Sequence, residues 1–294
     1  SYRQRLHDYI NDGAFDAIIT THLFPAESLT ALKREKALTA LTIGVNTDYT
    51  CIPFWEETEL DYYIIPHKDL IDEFAARGIP RNKLLPYGIP VRPEFYTRLT
   101  KQEARKKLCS LCNTRFDYSK PLYMIMSGSM GYGRIQRLVR AIIDRHADGV
   151  NLIVICGSNK RLKGKLELFC KAYENIAVCG YSRDIPLIMD ASDLIFTKPG
   201  GLSSTEAAVK NIPIIHTAPI PGCENKNARF FSSRLMSCYS WRIKKQLVAA
   251  ERICNDDFLR NKIIQAQREN IPRDTCENIY RLLAEPNRKE GMIP

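Results

Sequence analysis

No stretch of the 294-residue sequence approaches the roughly 18 consecutive apolar residues that a membrane-spanning helix needs, and its first residues lack the pattern of a signal peptide. Any membrane contact made by this sequence is therefore expected to be peripheral. A nucleic-acid-binding module is missing as well, and so is a long basic tract. The net charge of +10 instead comes from small groups, 101–107, 160–165 and 242–245. Such groups suit a solvated face, an anionic membrane surface or acidic ligands, and no nucleic-acid partner is expected. Second cysteine pairs are absent too. Cys109-Ser110-Leu111-Cys112 is the one C-x-x-C, so it reads as a helix end in preference to a zinc or redox site. The other cysteines of the ten are scattered, several in apolar runs, which points to reduced thiols in a cytosolic protein.

What is present is a chain that is 45% hydrophobic, enough for two modest domains with their own cores. Short strand-like runs alternate with helical patterns: 16–20, 41–45 and 62–65 in the first third, then 122–126, 152–156, 176–179, 194–196 and 213–216. That alternation predicts an α/β class with parallel sheets, arranged as two Rossmann-like domains. Residues 1–97 are expected to form a partial N-terminal domain, 98–120 a charged linker, and 121–294 the C-terminal domain. The chain opens on a helix, without the strand and glycine loop that normally start a doubly wound domain. The first domain is accordingly expected to be incomplete.

The chain is organised around Thr197-Lys198-Pro199-Gly200-Gly201-Leu202-Ser203-Ser204-Thr205-Glu206, which reads as the end of a buried strand, a glycine turn and a helix start. Adjacent glycines bring backbone close to a ligand, and the free N–H groups of the next helix face the same space, which suits an anion. Ser203 and Glu206 also have the S-x-x-E spacing of a capping box, which satisfies those donors with no ligand. The same grammar recurs downstream: Pro213-Ile214-Ile215-His216 as a strand, then a polar turn through Gly222, Glu224, Asn225 and Asn227. Strand ends at Ser127-Gly128-Ser129-Met130-Gly131, Gly157-Ser158-Asn159 and Gly180-Tyr181 would join them along one sheet edge, where open α/β sheets bind ligands.

The T-K-P-G-G-x-S-x-x-E segment, followed by P-x-P-G-x-E-x-x-N, resembles the bacterial processive diacylglycerol glucosyltransferases and the monogalactosyldiacylglycerol synthases. The G-I-P-V-R-P-x-F element at Gly88–Phe95 and the T-D-Y element at Thr47–Tyr49 resemble the same family, so the likeness runs from about Asp16 to Asn227. It implies a GT-B fold and an inverting hexosyltransferase that moves a hexose or N-acetylhexosamine from a UDP-sugar to a lipid acceptor. The setting implied is the cytosolic membrane face, with no cofactor beyond the nucleotide sugar itself. Without a D-x-D motif beside a strand, no metal site is expected.

Carried over residue by residue, the resemblance implies that Tyr181 borders the uracil and Glu206 accepts hydrogen bonds from the ribose. The glycine turns, with Ser127, Gly128, Ser129, Gly131, Gly157, Gly200, Gly201, Gly222 and Ser203, take the diphosphate beside Lys198, and Glu224 and Asn225, with Asn227 as a further candidate, reach the sugar. Tyr181 would serve equally as a half-buried loop aromatic. The family's glycine-loop histidine has no counterpart here, which leaves Asp48 and His22 as candidates for the base that takes the acceptor proton. Each also has a structural reading, Asp48 as a turn cap and His22 as a packed loop histidine. Two further readings stay open: a nucleotide-sugar-binding subunit or fragment without catalysis, and a UDP-sugar epimerase of the same architecture.

Overall fold

A computed structural model describes residues 2–35, 37–112, 114–126, 128, 134–146 and 148–284. The elements follow in the order α1 (Tyr2–Gly13), β1 (Ala17–Thr20), α2 (Leu23–Arg34), β2 (Leu41–Val45), β3 (Tyr62–Ile64), α3 (Ile71–Ala76) and β4 (Leu84–Leu85). Then come α4 (Lys101–Cys112), β5 (Leu122–Met126), α5 (Ile135–His146), β6 (Asn151–Ile155), α6 (Lys160–Cys170), β7 (Ile176–Cys179), α7 (Ile185–Ala191) and β8 (Leu194–Thr197). The last are α8 (Gly201–Val209), β9 (Ile214–His216), α9 (Cys223–Ser233), β10 (Ser237–Tyr239), α10 (Ile243–Asn255), α11 (Asp257–Asn270) and α12 (Thr275–Ala284).

The chain divides into two compact units, residues 1–90 with 272–294, and residues 91–271. The first holds a parallel sheet in the order β1-β2-β3-β4. Ile43, Val45 and Ile64 on its central strands are covered by Ile279, Leu282 and Leu283 of α12, so the end of the chain completes the core of its beginning. Gly88 makes this approach feasible. It has φ +100°, and a Cβ there would lie 2.7 Å from Thr275 Oγ1 and 3.0 Å from Pro272 Cβ. Thr275 Oγ1 donates to the Tyr87 carbonyl at 2.6 Å.

The second unit is a six-stranded parallel sheet in the order β10-β9-β8-β5-β6-β7. The central strands β5, β6 and β8 are buried along their whole length, as continuous apolar runs must be when helices cover both faces. On α5, Ile135, Leu138, Val139 and Ile142 fall on one helical face and all are buried. From β5 the chain winds outward through β6 and β7, and from β8 it winds the other way through β9 and β10. The order therefore reverses between β5 and β8, which makes that pair the topological switch point.

The division differs from the expected one in two places. Residues 98–120 are part of the second unit instead of a linker, because buried charge holds them there. Arg105 donates to the Ala191 carbonyl at 3.1 Å, the Tyr118 carbonyl at 2.9 Å and the Asp193 carboxylate at 2.6 Å, and Lys101 pairs with that same carboxylate. Lys210, almost fully buried, is neutralised by Asp190 at 2.8 Å and donates to the Thr97 carbonyl. A buried charge is tolerated only with such complete pairing, which fixes 97–105 against α7 and β8. The C-terminal domain, in turn, ends at 271 and not 294, since α12 belongs to the first unit.

Candidate nucleotide-sugar site

The second-unit strands end level with one another. Met126 is in register with Ile155 and with Thr197, Ile155 with Cys179, and Thr197 with His216. Five loops therefore leave the carboxyl edge of one sheet side by side. Of the site residues expected after β5, Gly128 is described, while Ser127, Ser129 and Gly131 lie outside the described residues. Gly157 follows β6 with φ +58°. Tyr181 follows β7 with 73% of its surface exposed, on the rim of a groove of 720 Å³ that also includes Cys112, Arg115 and Asp184. The C-x-x-C does not form a pair with itself: Cys112 Sγ lies 3.8 Å from Cys179 Sγ, and Cys109 accepts a contact from the Tyr118 hydroxyl. Among the described residues no three His, Cys, Asp or Glu side chains gather to hold a metal ion.

After β8 the helix begins earlier than the capping-box spacing predicts. Gly200 is the N-cap of α8, with no side-chain cap, so Ser203 already sits in the first turn and Glu206 in the second. Neither closes the end of the helix, and the leading N–H groups of α8 remain donors without an intrahelical acceptor. The helix is anchored from behind by a residue that sequence reading assigned only to a strand. His216 is fully buried on β9, with Ser204 Oγ 2.9 Å from Nε2 and Ser237 Oγ 3.0 Å from Nδ1. Burial pushes its pKa down to about 3, so the ring stays neutral and ties α8 to β9 and β10 through two hydroxyls.

Glu206 projects from α8 and is only partly exposed. Among the described residues no side chain donates a hydrogen bond to it. Burial pushes its pKa up to about 7, and the nearby Arg92 guanidinium, itself donating to the Arg183 carbonyl, partly offsets the rise. Arg92 belongs to the Gly88–Phe95 element quoted for the family likeness, yet nothing in that spacing placed it near Glu206. A carboxylate in such a position gains most from a ligand that brings hydroxyl donors.

Lys198 and Glu224, expected to take the diphosphate and the sugar separately, form an ion pair with each other. The second oxygen of Glu224 accepts the Ile220 N–H at 2.8 Å. Asn227 is buried and donates to the Pro199 carbonyl at 3.0 Å, tying the loop after β8 to α9 instead of presenting its amide to solvent. Asn225 is exposed at the start of α9, and Gly222 ahead of it has φ +121°, a conformation that needs glycine.

In the first unit, the two candidate bases line one pocket of 320 Å³ together with Thr21, Leu23, Phe24, Thr47, Ile52 and Trp55. His22 is the N-cap of α2, and its Nδ1 accepts the Phe24 N–H at 3.3 Å. In the neutral ring this acceptance places the proton on Nε2, so the exposed nitrogen is a donor and has no lone pair with which to take a proton. The structural reading of His22 as a cap is thus realised in the geometry. Asp48 follows β2, partly buried, on the same pocket.

Residues 1–91 match the monogalactosyldiacylglycerol (MGDG) synthase family, and residues 122–245 match the glycosyltransferase family 28 C-terminal domain. A processive diacylglycerol beta-glucosyltransferase from Staphylococcus saprophyticus is 31% identical over 74% of this chain and 54% of its own length. The enzyme of the same description from Bacillus cereus is 25% identical over 99% of this chain and 74% of its own. The chain thus spans about half the length of the first relative and three quarters of the second. Among solved structures, the S. aureus MnaA–UDP co-structure superposes with a TM-score of 0.71 at 13% identity, covering 99% of this chain and 81% of that one. The fold is therefore GT-B, and along both matched segments the chain resembles the diacylglycerol glucosyltransferase and MGDG synthase family of glycosyltransferases.

Proposed function

We propose that this chain is an inverting hexosyltransferase that moves a hexose or N-acetylhexosamine from a UDP-sugar to a diacylglycerol-type lipid at the cytosolic membrane face. The observation that carries the reading is Glu206: a partly buried carboxyl to which no described side chain donates, on the helix that starts at the switch-point edge of the sheet. Ribose hydroxyls are donors of the right kind for it. Tyr181 is assigned the uracil, the amides of Gly201, Leu202 and Ser203 the diphosphate with Lys198, and Glu224 and Asn225 the sugar. Asn227 holds the loop that carries Lys198.

The reaction displaces UDP from the anomeric carbon through a cationic transition state, so the leaving diphosphate must be stabilised and the acceptor hydroxyl must lose a proton. Lys198 and the leading amides of α8 meet the first need, and the proposal requires no metal. Asp48 meets the second as base, and His22 orients the first turn of α2 beside it. The net charge of +10 suits an anionic leaflet, where each nearby Lys or Arg contributes about 1 kcal/mol. Among the described residues no helix is long and apolar enough to cross a membrane.

The test is calorimetry of the chain with UDP, then transfer from UDP-glucose to diacylglycerol in liposomes containing anionic lipid, with and without EDTA. Saturable UDP binding and chelator-insensitive transfer are expected. A chain that binds no UDP would remove the reading at its root.

A further inference from the structure

Lys198 is the first residue beyond β8, and two glycines leave room for its side chain. Gly128, at φ +72°, would place a Cβ 2.8 Å from Lys198 Cε, and a Cβ on Gly200 would lie 3.4 Å from Nζ and 3.8 Å from Glu224 Oε1. The ammonium is thereby led to the turn that opens α8, where Glu224 meets it. The Lys198 side chain is 21% exposed and that of Glu224 8%, so both charges are largely withdrawn from water. A diphosphate arriving at the amides of Gly201, Leu202 and Ser203 thus finds its nearest cation already neutralised by a carboxylate.

We propose that Glu224 competes with the donor diphosphate for Lys198, and so makes the site favour the intact nucleotide sugar over free UDP. This rests on the UDP-sugar reading above. With UDP alone, binding must either draw Lys198 away from Glu224 or accept the repulsion of that carboxylate, and nothing in the ligand compensates the carboxylate for its loss. With a sugar attached, hydroxyl groups donate to Glu224 and take the place of the ammonium. Lys198 then serves the phosphates while Glu224 serves the sugar. After transfer the hydroxyls depart with the product, Glu224 reclaims Lys198, and UDP is released. Glu224 in this account is a specificity-determining residue whose charge opposes the nucleotide and favours the glycosyl group.

The experiment is calorimetry of the whole chain and its Glu224→Gln, Lys198→Met and doubly substituted forms, with UDP and with UDP-glucose as probes. Glu224→Gln should bind UDP about tenfold more tightly than the original chain, the scale of one charge-assisted contact regained, while UDP-glucose gains less or loses affinity. Lys198→Met should bind UDP at least tenfold more weakly, and adding Glu224→Gln to it should bring no recovery. Unchanged or weaker UDP binding by a folded Glu224→Gln protein overturns the competition. If the glutamine variant fails to fold, Glu224→Leu, which removes the charge without burying an amide, carries the same expectation and the same refutation. Failure of the original chain to bind either probe would instead strike the donor reading itself, since the competition presupposes a bound diphosphate.

Discussion

The loops at the carboxyl edge of the second sheet and the His22–Asp48 pocket of the first unit are both candidate parts of one reaction, but they are held in place by different means. In the second unit three side chains are backed by a partner from another element: His216 behind α8, Asn227 behind Pro199, Glu224 beside Lys198. In the first, the contact that orients His22 is local, a ring nitrogen accepting from a backbone N–H two residues along. A nucleotide is a fixed shape, and a rigid edge in register can be built for it once. The far wall of the first-unit pocket is tied down from α3, with Thr50 donating to Glu73 and Arg77 to the Cys51 carbonyl, so the locally capped side is the turn that carries His22.

The sharpest way to break this comparison is to change the pocket and look for an effect at the edge. Asp48→Asn should lower transfer by about 10² to 10⁴, the usual worth of a general base, and leave UDP affinity unchanged. The measurements are turnover with saturating UDP-glucose and calorimetry on the same preparation. A loss of UDP affinity alongside turnover would mean that Asp48 is structural, and that the two regions are not independent.

Next in size is the frame of the second unit. Asp190→Ala leaves Lys210 buried without its counter-charge and also removes an acceptor for the Leu99 N–H. The loss should be about 3 to 5 kcal/mol of stability in urea unfolding, the range for breaking a buried pair from one side. A comparable change at an exposed pair such as Arg281–Glu277 should cost less than about 1 kcal/mol. If both changes cost the same, the difference between wired and local regions is not one of buried charge.

Much of this was legible from residue order, and the exceptions share a cause. The runs 122–126, 152–156 and 194–196 announce buried parallel strands because they are apolar without interruption, and Gly78 marks the end of α3 as a glycine at φ +110° should. β4 and β10 escaped, being two and three residues long. They exist through pairing of Leu84 with Tyr63 and Ser237 with Ile214, which no local pattern carries. Lys198, Glu206 and Glu224 could be picked out as candidate site residues. That Lys198 and Glu224 hold each other could not, since the contact joins the loop after β8 to the first turn of α9, 26 residues along. His216 gave no signal at all, because its partners are 12 and 21 residues away. That α4 belongs to the second unit was hidden likewise, since Arg105 reaches Asp193 across 88 positions.

Glu206 offers a prediction in pH. Its pKa is raised by burial from the ordinary carboxylate range to about 7, so the folded state holds a proton that the unfolded chain releases. Ionising it in place therefore destabilises the fold as pH rises from about 4.5, with the full cost reached above about 7. Glu206→Gln should match the original chain in stability near pH 4 and exceed it by up to about 3 kcal/mol at pH 8. Binding should move the opposite way. Ribose donors favour the ionised carboxyl, so the affinity advantage of the original chain over Glu206→Gln should grow as pH rises through 7, and comparing the two cancels the titration of UDP itself. An advantage that is flat from pH 5.5 to 8 would remove Glu206 from the ribose.

The smallest expected effect separates the two readings of His22. As a cap, its ring nitrogen satisfies one of the leading N–H groups of α2, and removing that acceptor costs about 1 kcal/mol. His22→Ala should lose about that much stability, read from the urea midpoint. His22→Asn should lose little, because asparagine is a strong N-cap whose side-chain oxygen accepts from the same N–H. Catalysis gives the contrast its force: an asparagine takes no proton near neutral pH, so a catalytic His22 would leave the asparagine variant folded and inactive. With Nδ1 accepting from Phe24 and the proton on Nε2, the ring has no nitrogen free to act as base, and the asparagine variant is expected to keep most of its transfer activity while the alanine variant loses activity in step with its stability. A folded His22→Asn protein with transfer reduced about 10²-fold or more would hand the proton to His22 and leave Asp48 as its support.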